Sequence, residues 1–111
     1  MPGFAFSIPV VPGNEELDRR TFDEMLDARR DEYEAALRQA GITRQAVWHQ
    51  ETPGGIVAVD VEGDDPEAGI AQFGSSDEPL NTWFREQMKE VHGVDISQTE
   101  LRATKVHDIQ L

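Results

Sequence analysis

The sequence predicts an α+β chain, an antiparallel sheet backed on one face by helices. Three observations predict it. Residues 56–62 alternate, with Val57, Val59 and Val61 on one side and Ile56, Ala58, Asp60 and Glu62 on the other. A second apolar-rich run, 46–50, precedes it across Pro53-Gly54-Gly55, which combines the fixed φ of proline with the permissive φ of glycine that a reversal needs. Helical patterns lie before and after this pair of runs. The centre of the chain is therefore a hairpin with one core face and one mixed face.

The elements follow in order. Phe4 to Val10 places Phe4, Phe6, Ile8 and Val10 against Ala5, Ser7 and Pro9, a first strand with its large residues on one side. Pro9 cannot donate to a ladder, so it marks an edge, a bulge or the strand's end, and Pro12-Gly13 closes the segment. Asn14 is a favoured N-cap, and Glu15 and Glu16 follow where the helix dipole welcomes negative charge. A long helix is expected from there to Gly41, with Leu17, Phe22, Met25, Leu26, Tyr33, Ala36, Leu37 and Ala40 as its apolar stripe. After the hairpin, Asp65 as N-cap and Pro66 at N1 open another helix, which is interrupted at residues 74–77 and restarts at Pro79 to run to His92. Gly93 fits the C′ position, with Val94 behind it. Leu101, Val106, Ile109 and Leu111 are expected in a last strand beginning near Arg102.

The chain has 111 residues, which favours one domain over 1–111, and 38% hydrophobic residues, a lean supply for one core. Its net charge of -12 repels phosphate backbones and anionic lipid, so nucleic-acid and membrane-surface roles are disfavoured. The absence of cysteine excludes disulfides, thiolate nucleophiles and cysteine-based metal sites. The apolar start is interrupted by prolines and has no basic flank, and no run reaches the roughly 18 apolar residues of a spanning helix, so a cytoplasmic protein is the expectation.

Strand, helix, strand, strand, broken helix, strand is the order of a ferredoxin-like split βαβ arrangement, with four antiparallel strands and helices on one face. The other face carries Ala5, Ser7, Ile56, Ala58 and Asp60, joined by Trp48, and is too apolar to face water uncovered. Packing two such sheets together gives a homodimer with a cavity. The segments AGITRQAVWHQ, VAVDVEGDDPEAGIAQFGSSDEP and TWFREQMKEVHGVD, within Asp31 to Asp95, resemble a family of small, mostly uncharacterised bacterial proteins. That family is similar to the dimeric α+β barrel group, which includes antibiotic-biosynthesis monooxygenases, muconolactone isomerase and sugar mutarotases. The resemblance implies the fold and a dimer. It carries over no catalytic set, because relatives on this fold run different chemistries.

Candidate site residues come from residue chemistry. Asp60 shares its face with Ile56 and Ala58, so partial desolvation suits it to proton transfer; the competing expectation pairs it with Arg44 across the hairpin. His49 neighbours Trp48, and adjacent strand residues face opposite ways. With Trp48 turned to the sheet's uncovered side, His49 faces the helices as a packed, hydrogen-bonded group, or else serves as a proton carrier. His92 either caps a helix C-terminus or acts as a base at a cavity mouth. Trp48 and Tyr33 combine apolar bodies with polar tips suited to a ligand, and Arg29, inside the helical stripe, either snorkels to an acid or offers a cation at the cavity mouth. His107, beside Asp108, makes no dyad by adjacency, and the three histidines have no metal-site spacing. The acidic residues Glu62, Asp64, Asp65 and Glu67 read as a helix start before they read as a cation site. No nucleotide or phosphate fingerprint occurs, and no cofactor is expected. Two functions follow as expectations. One is binding of a small apolar ligand in a cavity between sheet and helices. The alternative is a cofactor-independent, monooxygenase-like or isomerase-like enzyme that takes a proton from an apolar or phenolic substrate.

Overall fold

The computed structural model describes residues 3–50, 55–101 and 103–111. Its elements are β1 (Gly3–Pro9), α1 (Glu15–Leu26), α2 (Arg30–Gln39), β2 (Ile42–Gln50), β3 (Ile56–Gly63), α3 (Pro66–Ser75) and α4 (Pro79–His92). The strands form an antiparallel sheet in the order β1-β3-β2. Directly paired residues of antiparallel strands point to the same face. Phe4, Phe6 and Ile8 stand opposite Val61, Val59 and Val57, and so do Gln45, Val47 and His49 from the other side. This is the face the helices cover. Val57 and Val61 are almost wholly buried there, as the alternation of β3 requires. Ala5, Ser7, Ala46, Trp48, Ala58 and Asp60 share the opposite face, which the helices leave bare. Trp48 is 63% exposed on it.

The core lies between this sheet and the helices. Met25, Tyr33, Ala36, Phe73, Leu80, Met88 and Val91 meet the valines from the helical side. Phe73 packs between Tyr33 and Phe84, with ring centroids 6.4 and 5.1 Å away. Local chemistry sets the helix ends. Asp65 Oδ1 accepts from Ala68 N–H, with Pro66 behind it at N1, as a helix start of this composition should. Gly93 ends α4 in the left-handed region at φ 69°, where a side chain would be strained.

Three expectations are corrected. The first helix is two helices. Among residues 27–29 the Arg29 N–H reaches back to the Glu24 carbonyl, five residues earlier, instead of four. The displaced turn rotates Leu26 out of the stripe, leaving it exposed. Asn14 does stand at the N-cap of α1, but it makes no side-chain cap bond; its Nδ2 donates to the Glu90 carbonyl at 2.9 Å, tying the start of α1 to the end of α4. Among the described residues the sheet has three strands, not four. Residues 103–111 pair with no strand, and Val106 is 91% exposed. The expected start of that strand at Arg102 lies outside the described residues. So do Pro53 and Gly54 of the expected turn, although Gly55 holds a left-handed φ of 72°.

Candidate functional site

An apolar cavity of about 60 Å³ lies between the helices and the helix-facing side of the sheet. Phe6 and Val59 form its floor, with Met25, Phe73, Phe84 and Met88 above them. Val47 also lines it and is itself partly exposed, so the cavity reaches the surface along β2. This follows from topology, since β2 is an edge strand and its helix-facing side chains lack a neighbour on one flank.

Charge enters this apolar space at one end. Asp18 lies on α1 four residues before Phe22 and seven before Met25, so it points inward with them. Its side chain is 7% exposed. His49 Nε2 approaches Asp18 Oδ2 at 3.2 Å, and His92 Nε2 approaches Asp18 Oδ1 at 3.7 Å. The His49 side chain is 47% exposed at the rim, with its ring against Phe22 at 5.2 Å, whereas that of His92 is 5% exposed. His92 Nδ1 lies 2.9 Å from the Pro9 carbonyl oxygen. A carbonyl only accepts, so Nδ1 carries a proton and Nε2 is the nitrogen that faces Asp18.

Burial dominates the titration of Asp18 and His92. It pushes the Asp18 carboxyl above its ordinary value, against the pull of His49, His92 and Arg19. It pushes His92 below its ordinary value, against the Pro9 hydrogen bond and Asp18. A carboxylate driven up and an imidazole driven down approach each other in proton affinity. Burial thus disfavours the charged form of each group.

Two neutral polar pairs complete the lining. The buried Tyr33 hydroxyl donates to Gln45 Oε1, and burial pushes this phenol up to about 12, so it stays protonated. The Thr21 hydroxyl lies 2.9 Å from the Leu17 carbonyl and 3.2 Å from Gln87 Oε1. Among the described residues no group of three His, Cys, Asp or Glu side chains is arranged to hold a metal ion.

The sequence candidates divide between the two faces. His92 and Tyr33 line the cavity, and His49 reaches it through Asp18. His49 faces the helices as the strand register demands, but it is a rim group and not a core one, because β2 is an edge. His92 is more than a cap, since its ring reaches inward to Asp18 and Pro9. Asp60 and Trp48 stand on the bare face, away from this cavity, with Asp60 3.8 Å from Arg44. Arg29 lies over the Trp83 ring at 4.7 Å and pairs with Glu24 at 2.8 Å, outside the lining. Asp18 was not a sequence candidate, because an acid in a first helical turn is explained by the dipole alone. Its four- and seven-residue spacing to Phe22 and Met25 was the signal available.

Neither a protein-family model nor a curated protein matches the chain. No helix among the described residues is long and apolar enough to cross a membrane. In fold the chain is similar to the crystal structure of L-rhamnose mutarotase from Formosa agariphila, with a TM-score of 0.63 and 15% identity over 99% of this chain and 100% of that one. At that identity the likeness is one of fold, and it agrees with the ferredoxin-like α+β arrangement of sheet and helices.

Proposed function

We propose that the protein is a small-ligand-binding homodimer, cytoplasmic in location, whose ligand enters the apolar cavity beside β2. The observation that carries this reading is the cavity itself, apolar along most of its wall, with Asp18 and His92 among its few polar groups. Its size bounds the occupant. A cavity of about 150 Å³ encloses benzene, so 60 Å³ takes the head of a small molecule while its body emerges past Val47. A sugar, polar on every side, suits this lining poorly, so the mutarotase of like fold supplies no substrate. The dimer rests on the bare sheet face, where Trp48, Ala46, Ile56 and Ala58 gather and a second copy covers them. Ligand binding is tested by thermal melting with a panel of small apolar compounds. Binders raise the melting temperature by mass action, and Val47→Trp, which narrows the rim, removes the rise. No shift with any compound, or a shift untouched by Val47→Trp, overturns the reading.

A second reading, isomerase-like proton transfer, is favoured by the Asp18–His92–His49 cluster. His92 or Asp18 takes a proton from an activated carbon of the bound molecule and returns it, and His49 at the rim exchanges with water. The same first step would open a monooxygenase-like reaction. A fold shared with a mutarotase gives isomerisation a precedent. Deuterium uptake from D2O into candidate substrates tests it: Asp18→Asn and His92→Gln abolish uptake, and unchanged uptake in both variants overturns it.

A further inference from the structure

We propose that the polar end of the cavity is a hydroxyl subsite, in which the notch between Asp18 Oδ1 and His92 Nε2 receives the hydroxyl of an uncharged alcohol with an apolar body. This deepens the ligand-binding reading and rests on it.

The notch is defined by a distance. Asp18 Oδ1 and His92 Nε2 are 3.7 Å apart, beyond hydrogen-bond reach, although both face the cavity and both are buried. Neither atom can turn away to find another partner. The His92 ring is held by its Nδ1–H bond to Pro9 at 2.9 Å, and Asp18 is held from its other oxygen by His49 at 3.2 Å. An oxygen atom set into the notch lies within about 2.8 Å of both, a normal hydrogen-bond length.

Where one proton is shared between Asp18 and His92, it has two positions. With Asp18 ionised and His92 protonated, the occupant must donate to the carboxylate and accept from the imidazolium. With the proton on Asp18, the occupant accepts from the carboxyl and donates to the neutral nitrogen. A hydroxyl does both. A carboxylate only accepts, and it meets a buried acid in a chain of net charge -12. An ammonium only donates, and it must be stripped of water in an apolar cavity beside the His92 imidazole. The lining beyond the notch, Met25, Phe22 and Met88, offers apolar contact to the carbon atoms that follow the hydroxyl, and the methionines adapt to their shape.

Calorimetric titration of the wild-type protein with four probes that share one ring tests the subsite: benzyl alcohol, toluene, benzoate and benzylamine. The expected result is benzyl alcohol binding about tenfold tighter than toluene, with benzoate and benzylamine weaker than both. Asp18→Ala and His92→Gln then reduce benzyl alcohol to the affinity of toluene. Equal affinities for benzyl alcohol and toluene overturn the hydroxyl subsite and leave the ligand-binding reading standing. Tighter binding of benzylamine or benzoate also overturns the subsite. Failure of all four probes to bind overturns both.

Discussion

Asp18 and Asp60 are carboxylates beside the same sheet, on opposite faces, and they stand in different solvents. Asp60 projects from β3 onto the bare face, where half its side chain meets water and Arg44 lies 3.8 Å away. Asp18 reaches the helix-covered face from α1, is almost wholly buried, and has the His49 and His92 imidazoles beside it. The apolar neighbours of Asp60 in sequence did not desolvate it, because its face carries no layer above it. The difference teaches that the environment of a group is set by what covers its face as much as by the residues sharing that face.

Predictions that break or sharpen this contrast begin with packing. Phe73→Ala, on the covered side, removes a buried ring between Tyr33 and Phe84 and should cost about 3–5 kcal/mol in chemical denaturation. Ile56→Ala, among the half-buried residues of the bare side, should cost the isolated chain less than about 1 kcal/mol. Comparable losses would mean that the faces are not different in kind. Ala58→Arg should leave the fold intact and convert a dimer to monomers in sedimentation, because it sets a charge at the centre of the bare face. A dimer that tolerates it places the interface elsewhere.

The titration prediction is smaller and carries a sign. The folded Asp18 value is raised above its ordinary 3.8, so the folded state holds its proton more tightly than the unfolded chain. That contribution is present in full below 3.8 and is lost as pH rises through the folded value. His92 is lowered from 6.5, so its contribution is present above 6.5 and is lost as pH falls through the folded value. Asp18→Asn should therefore raise the melting temperature at pH 7 and have little effect at pH 3. Equal changes at both pH values would contradict the burial argument. Asp60→Asn should change stability at pH 7 by less than about 0.5 kcal/mol, because an exposed pair at 3.8 Å is worth little.

Much of this fold was legible in the sequence where one residue type decides a local choice. The valine alternation fixed which side of β3 is covered, and with it the opposite directions of Trp48 and His49. Asp65-Pro66 and Pro79 to Gly93 gave the helix ends of α3 and α4. The break between α1 and α2 was not legible, because no glycine or proline marks residues 27–29 and the turn is held by Arg29 reaching Trp83 and Glu24. The tail failed for the opposite reason: its apolar residues suit a strand, but a strand needs a partner edge, which periodicity does not supply. At the candidate site, His49, His92 and Tyr33 were picked out by their chemistry. The meeting of His49 and His92 at Asp18 depends on α1 and α4 converging on the end of β1 and on β2 running past α1, contacts between distant parts of the chain.

The most direct test is a nuclear magnetic resonance titration with benzyl alcohol that follows both faces at once. The Met25 and Met88 methyl groups report the cavity, and the Trp48 indole N–H reports the bare face. Shifts at both methionines, with the Trp48 signal unmoved, are the predicted result. A shift at Trp48 with both methionines unmoved would put the ligand on the other side of the sheet and contradict the account.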